Sequence, residues 1–294
     1  MNDNPIHPKS TVVVHGATDV GRARDHNEDA FAIVDMSSGP LIAPDAETTV
    51  ALAQEGLFLA VYDGMGGHAA GEVAAAMAAK SIERDLRRMV SDGRTDPAEA
   101  LRESLRAANQ EILAESQRRD CKPGMGTTST AALLFADRAV FAEVGDSRAY
   151  LLRGGTLTQL THDQSLVATM LEAGLLTAEE AKSFPHTNVI LQALGVQEKL
   201  DPVATEVQTQ PGDLILLCSD GLHGPVPDQD IAAILRREPT LTDCAEALIQ
   251  AALDAGGPDN VTVVLARYEQ DRAYAAMTTS ADAGAVRDIS QLPD

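Results

Sequence analysis

Four aspartates stand where apolar runs begin or end. Asp63 follows LFLAVY, Asp146 follows AVFAEVG, Asp220 follows LILLCS, and Asp259 directly precedes NVTVV. A carboxylate carried to the end of a buried strand is costly unless a cation or a donor offsets it. Several such carboxylates converging from different strands form an oxygen-rich site for a hard cation such as Mg²⁺ or Mn²⁺. Taken singly, Asp63-Gly64 and Asp220-Gly221 also read as plain chain reversals after a strand. A second cluster lies in TDVGRARDHNEDAF, residues 18–31, where Arg24 precedes Asn27-Glu28-Asp29. A guanidinium presents a planar fork of donors matched to a phosphoryl group, and the adjacent acids can hold metal-bound water. By itself that stretch also reads as a solvated charged loop. The set of four aspartates together with this loop favours metal-assisted chemistry on a phosphoryl group.

The segment DGMGGHAAGEVAAA, 63–76, contains a G-x-G-x-x-A pattern between a strand and a helix, the outline of a dinucleotide loop. Asp63 would set a negative charge against the pyrophosphate there, and the region where a second acidic strand end belongs is still helical. A glycine-rich turn that lets backbone carbonyls approach a metal accounts for the pattern better. The three cysteines, Cys121, Cys218 and Cys244, are widely spaced and odd in number. They form neither a disulfide framework nor a metal knuckle, and read as reduced thiols of a cytoplasmic protein. Cys218, inside LILLCS, reads as a small buried hydrophobe.

These residues need elements to position them. The chain has 294 residues, 44% of them hydrophobic, and 23 Lys and Arg against 44 Asp and Glu, a net charge of −21. That supports a packed core and excludes a wholly disordered chain. Its acidity disfavours nucleic acid and anionic membrane as partners, and with no Trp and 3% aromatics it offers few stacking platforms. MNDNPIHPKS lacks a signal-peptide core, and no stretch approaches the roughly 18 apolar residues of a membrane span. Strands are expected at 11–14, 30–34, 57–62, 129–135, 139–144, 149–153, 214–219 and 260–266, several joined by short hairpin turns. Two long helices are expected after the third strand: one carries Ala75, Ala78, Ile82, Leu86 and Met89, the other starts at Asp96-Pro97. A third is expected at 243–255, stopped by Gly256-Gly257. Segregation of strands from helices argues for an α+β fold with antiparallel sheets. Residues 1–10 read as a disordered tail, 11–268 as one domain and 269–294 as a flexible acidic tail. A monomer is expected, since no apolar heptad stripe asks for a partner helix.

GRARDHNED, VYDGMGGH, GMGTT (124–128), VGDSRAY (144–150), LTHDQS (160–165), CSDGL (218–222) and GPDNVTVV (257–264) occur in one order. Together they resemble the motif set of the PPM family, the metal-dependent serine/threonine protein phosphatases of type 2C, and DGMGGH resembles its bacterial branch. The resemblance spans about 16–266. It implies a four-layer α/β/β/α sandwich with two central antiparallel sheets, and hydrolysis of phosphoserine and phosphothreonine by water or hydroxide bridging two divalent metals, Mn²⁺ or Mg²⁺. By motif position Asp63 bridges both metals, the Gly64 carbonyl binds one, and Asp220 and Asp259 complete the other. Glu28 and Asp29 act through metal-bound water, Asp146 with Asp220 matches a weaker third site, and Arg24 binds phosphate. The implied partners are phosphorylated proteins and the bacterial Ser/Thr kinases that this enzyme opposes. Animal members carry a His, a proposed general acid, where this chain has Met65. His68 is the nearest replacement in sequence, and tuning of substrate preference suits it more than proton transfer. Residues 164–189 match the family's flap beside the active site. The alternative is a catalytically silent pseudophosphatase serving as a binding or regulatory module; loss of a core Asp would favour it, and none is lost. A phosphatase of partner-switching systems is a third reading, and its relatives' attached sensor or membrane regions do not fit in these tails.

Overall fold

A computed structural model describes residues 11–40, 46–66, 69–91, 93, 95–118, 124–182, 184 and 189–269. The first six strands are β1 (Thr11–Asp19), β2 (Ala30–Asp35), β3 (Gly39–Pro40), β4 (Thr48–Ala51), β5 (Leu57–Tyr62) and β6 (Gly64–Met65). Two long helices follow, α1 (Ala69–Val90) and α2 (Pro97–Ser116). Next come β7 (Gly126–Thr127), β8 (Ser129–Leu134), β9 (Arg138–Val144), β10 (Arg148–Arg153) and β11 (Thr156–Gln159). Short helices α3 (Leu166–Glu172) and α4 (Ala178–Lys182) lead to β12 (Val203–Gln208) and β13 (Leu214–Cys218). The chain then runs through α5 (Asp220–His223), α6 (Asp228–Arg237) and α7 (Leu241–Asp254) into β14 (Val261–Glu269).

All described strand pairings are antiparallel. One sheet has the order β11-β10-β13-β14-β1-β4, the other β12-β9-β8-β5-β2-β3, and β6 with β7 forms a small ribbon. Alternation along each strand builds four layers. Leu57, Leu59 and Val61 of β5 meet Ile215 and Leu217 of β13 between the sheets. The other face of β5, Phe58, Ala60 and Tyr62, packs beneath Ile82 and Leu86 of α1 and Leu105 of α2. Leu214, Leu216 and Cys218 of β13 pack against Ile231 of α6 and Leu248 of α7. The central strands are covered on both faces, which is why they read as unbroken apolar runs. Each fully buried leucine among them contributes about 2 kcal/mol.

The eight expected strands all form; β1 runs five residues beyond its expected end, and the other ends shift by three residues at most. Asp96 caps α2 as its type predicts, accepting from Ala98 N at 3.0 Å and Glu99 N at 3.1 Å. α7 begins two residues earlier than expected, because Thr240 is its N-cap and its hydroxyl accepts from Asp243 N at 3.0 Å. The expected N-terminal tail, and the C-terminal one beyond Glu269, lie outside the described residues, as do Cys121, His68 and Pro185-His186. Among the described residues no helix is long and apolar enough to cross a membrane.

Candidate active site

The topology brings the marked strand ends to one edge of the sandwich. Asp63 follows β5, Asp146 sits in the β9–β10 turn, Asp220 opens α5 after β13, and Asp259 precedes β14. Together with Arg24, Glu28 and Gly64 they line a single cleft of about 240 Å³, whose wall also includes Met65, Ile190 and Asn260. Seven of the residues singled out from sequence therefore meet. Asp29 does not line this cleft; it sits behind it, where its Oδ2 accepts from Ser219 Oγ at 2.8 Å and Thr262 Oγ1 at 2.7 Å.

Hydroxyls and amides hold the acids in place. The Asp63 amide donates to Thr128 Oγ1 at 3.0 Å, and the Asp63 carbonyl accepts from Thr128 N at 2.9 Å and Thr127 Oγ1 at 3.0 Å. Thr128 Oγ1 also meets Ser147 Oγ at 2.8 Å, beside Asp146. The backbone of Asp63 is thus fixed on both sides by the GTT segment. Asn260 ties the Arg24 loop to the β14 end: its Oδ1 accepts from Glu28 N at 2.8 Å, and its Nδ2 donates to Val20 O at 2.8 Å and His26 O at 2.9 Å. Gly64 and Gly71 are required by close approach. A Cβ on Gly64 would come within 2.5 Å of Gly71 O, and one on Gly71 within 2.5 Å of Glu28 Oε2. That packing sets the Glu28 carboxylate against the first turn of α1, where a negative charge is favoured.

The electrostatics of the cleft are those of crowded, poorly solvated acids. Burial, then the neighbouring Asp220 charge, pushes the Asp63 carboxyl well above the usual range. Burial and Asp259 raise Asp220, whose carboxyl shares a hydrogen bond with that of Asp63. Asp146 rises to about 7 through burial and the charges of Asp220 and Asp163. Asp29 also rises to about 7, burial outweighing its two hydroxyl donors. Asp146 Oδ1 and Asp220 Oδ1 are buried with no hydrogen-bond partner. Arg24 is the cation at the rim, its Nη2 donating to Asp259 Oδ2 at 2.7 Å.

The donor set fits a hard divalent cation: it is all oxygen, it includes a carbonyl at Gly64, and two of its buried oxygens are unpartnered. Among the described residues no three His, Cys, Asp or Glu side chains form a ready-made metal cage.

Beyond the cleft, Arg148 binds Asp163 through Nε to Oδ1 at 2.9 Å and Nη2 to Oδ2 at 2.6 Å, and His223 Nε2 donates to Asp146 O at 3.0 Å. His162 and His223 lie outside the cleft lining. The contacts between Arg148 and Asp163 make the two a structural pair beside the cleft. The roles of Ser219, Thr262 and His223 are not legible in the sequence, since a hydroxyl beside a strand or a His at the end of the short helix α5 carries no pattern of its own.

An acid-lined cleft at the edge of a four-layer sandwich, with a guanidinium at its rim, defines a hydrolase of anionic phosphoesters. The family pattern described as Protein phosphatase 2C matches residues 22–262, and the chain belongs to that family of serine/threonine protein phosphatases. It is 38% identical over 249 residues to the serine/threonine phosphatase stp of Listeria monocytogenes, covering 84% of this chain and 92% of that one. The crystal structure of the Mycobacterium tuberculosis serine/threonine phosphatase PstP/Ppp superposes with a TM-score of 0.74 at 38% identity, covering 88% of this chain and all of that one. The PstP catalytic domain in complex with two manganese ions superposes with a TM-score of 0.71 at 37% identity, with the same coverage.

Proposed function

We propose that the cleft removes phosphate from phosphoserine and phosphothreonine in proteins with two divalent cations, Mn²⁺ or Mg²⁺, held by Asp63, the Gly64 carbonyl, Asp220 and Asp259. The observation that carries this reading is the convergence of carboxylates from separate strand ends on one cleft, with Asp146 Oδ1 and Asp220 Oδ1 unpartnered. Glu28 and Asp29 act one shell further out, and Asp146 with Asp220 offers a weaker third position. Bound there, the cations supply Lewis acidity: they lower the pKa of water and neutralise phosphoryl charge. Coordination by few protein groups and much water is the usual habit of Mg²⁺.

The chain's own residues do the rest. Thr127 and Thr128 fix the Asp63 backbone, so that its carboxylate is presented without reorganisation. Arg24 at the rim orients the phosphoryl oxygens through its fork of donors and stabilises the charge that builds on them. Met65 lines the cleft and has no proton to give, so the departing Ser or Thr oxygen takes its proton from water or from another side chain. His68 is assigned to substrate choice. The catalytic unit is residues 11–268, and its substrates are phosphorylated proteins, including Ser/Thr kinases or their targets.

The test is phosphate release from a phosphothreonine peptide with Mn²⁺, Mg²⁺ or excess EDTA. Release with either metal and none with EDTA is expected. Folded protein that releases nothing with any metal would return the reading to a binding module.

A further inference from the structure

Asp259 differs from its neighbours in the cleft. Both of its carboxylate oxygens are engaged by protein donors: Oδ1 accepts from Asn260 N at 2.8 Å, and Oδ2 from Arg24 Nη2 at 2.7 Å. Asp146 and Asp220 each keep an unpartnered Oδ1. The Arg24 side chain is 51% exposed and that of Asp259 27%, so the guanidinium lies at the cleft mouth, across the chain from a loop far away in sequence. The negative charges of Asp259, Glu28 and Asp220 all act on it. A guanidinium and a divalent cation have the same appetite for a carboxylate oxygen and repel each other when both approach it.

We propose that Arg24 competes with the divalent cation for Asp259, so that cation binding at Asp259 releases the guanidinium toward the phosphoryl group. This inference rests on the metal-dependent reading above and deepens it. The residue assigned to the anion is held by a carboxylate assigned to the cation, and each ligand weakens the contact that restrains the other's partner. Cation loading and phosphoester binding are then coupled through one side chain, and the coupling is reciprocal by linkage. Arg24 acts in two capacities: as a direct phosphoryl contact, and as a counter-ion that lowers cation affinity until substrate charge arrives. Because Asn260 N holds Oδ1, exchange at Oδ2 requires only rotation of the exposed Arg24 side chain and no movement of the β14 end.

The experiment is calorimetric titration of Mn²⁺ into the full chain stripped of metal, at fixed pH and ionic strength, with circular dichroism to verify folding. Four proteins are compared: wild type, Arg24→Ala, Asp259→Asn and the double variant. Arg24→Ala is expected to bind Mn²⁺ about three- to tenfold more tightly, the range for loss of a partly exposed charge-assisted pair. In the Asp259→Asn background, where the remaining acids still bind Mn²⁺, Arg24→Ala is expected to change affinity by less than about twofold. Unchanged or weaker binding in Arg24→Ala overturns the proposal. An equal gain in both backgrounds also overturns it, since the effect would then come from the field of the arginine and not from its contact with Asp259. Wild-type protein that binds no Mn²⁺ overturns the metal-dependent reading itself, and the proposal with it.

Discussion

Asp146 and Asp163 are both well covered and lie close to the same turn of chain, yet the molecule treats them in opposite ways. Asp163 receives a two-pronged Arg148, with contacts of 2.6 to 3.1 Å, and Arg148 continues to Tyr150 Oη at 2.9 Å. Burial pushes the Asp163 carboxyl up, but the hydrogen bonds and charge of Arg148 outweigh it and hold the group below its ordinary range. Asp213, 1% exposed, is matched in the same manner by Arg153 at 2.8 and 2.6 Å. Asp146, Asp63 and Asp220 have no such fork, and all three are raised. The fold therefore gives a two-pronged guanidinium to Asp163 and Asp213, outside the cleft, and none to Asp63, Asp146 and Asp220 within it, while Asp259 at the rim meets a single nitrogen of Arg24. An uncompensated acid costs stability, and a site that pairs with an external cation has to carry that cost.

Two substitutions should separate the regions. Asp220→Asn removes one of the unmatched acids, proposed above to hold a cation, and turnover of a phosphothreonine peptide should fall about a thousandfold, the equivalent of roughly 4 kcal/mol of lost charge stabilisation. In EDTA at pH 8 the same variant should melt no lower than wild type, because a buried charge has been deleted. Its gain in melting temperature on adding Mn²⁺ should shrink. Full turnover, or a large loss of stability in EDTA, would place Asp220 with the architectural acids instead. Asp163→Asn should do the reverse. Arg148 keeps only the longer contact to Asp228 at 3.7 Å, and urea unfolding should show a loss of about 3 kcal/mol. Turnover per folded molecule should stay within about threefold of wild type, since Asp163 lies outside the cleft. A stable but inactive Asp163→Asn would dissolve the distinction.

The same division explains what could be read from sequence. Strands covered on both faces, such as LFLAVY and LILLC, announced themselves as apolar runs. Six of the described strands were not expected: β3, β4, β11 and β12 are the edges of the two sheets, and β6 with β7 is the two-residue ribbon. β12 reads VATEVQ and none of its residues is buried, so it carries no run to detect. The unmatched acids were legible because an Asp placed against an apolar strand is conspicuous. Their supports were not. Ser219 and Thr262 act through register and close approach, which arise only once β13 and β14 are assembled. The pairing of Arg24 with Asp259, 235 positions apart, has no local trace either.

Glu143 is unmatched as well, yet it lies outside the cleft. Its side chain is 1% exposed in β9; Oε1 accepts from His162 N at 2.9 Å and Oε2 has no partner. Burial raises its carboxyl to about 7, against a modest opposing contribution from the His162 amide. The sign follows from linkage. Below about pH 4.5 both folded and unfolded chains carry the proton and the group is neutral to stability. Between about 4.5 and 7 the unfolded chain ionises first, so this residue lowers stability progressively as pH rises, and above 7 the loss is complete. Glu143→Gln retains the acceptor for His162 and removes the charge. It should therefore leave stability at pH 4.5 unchanged and raise it at pH 8, by up to about 3 kcal/mol, less the cost of an unpartnered amide. Urea unfolding at several pH values reads this directly. A gain that grows between pH 4.5 and 7 would show that an unmatched acid is a burden wherever it is buried, whereas a flat or negative difference would mean that Glu143 is matched by a group its hydrogen bonds do not reveal.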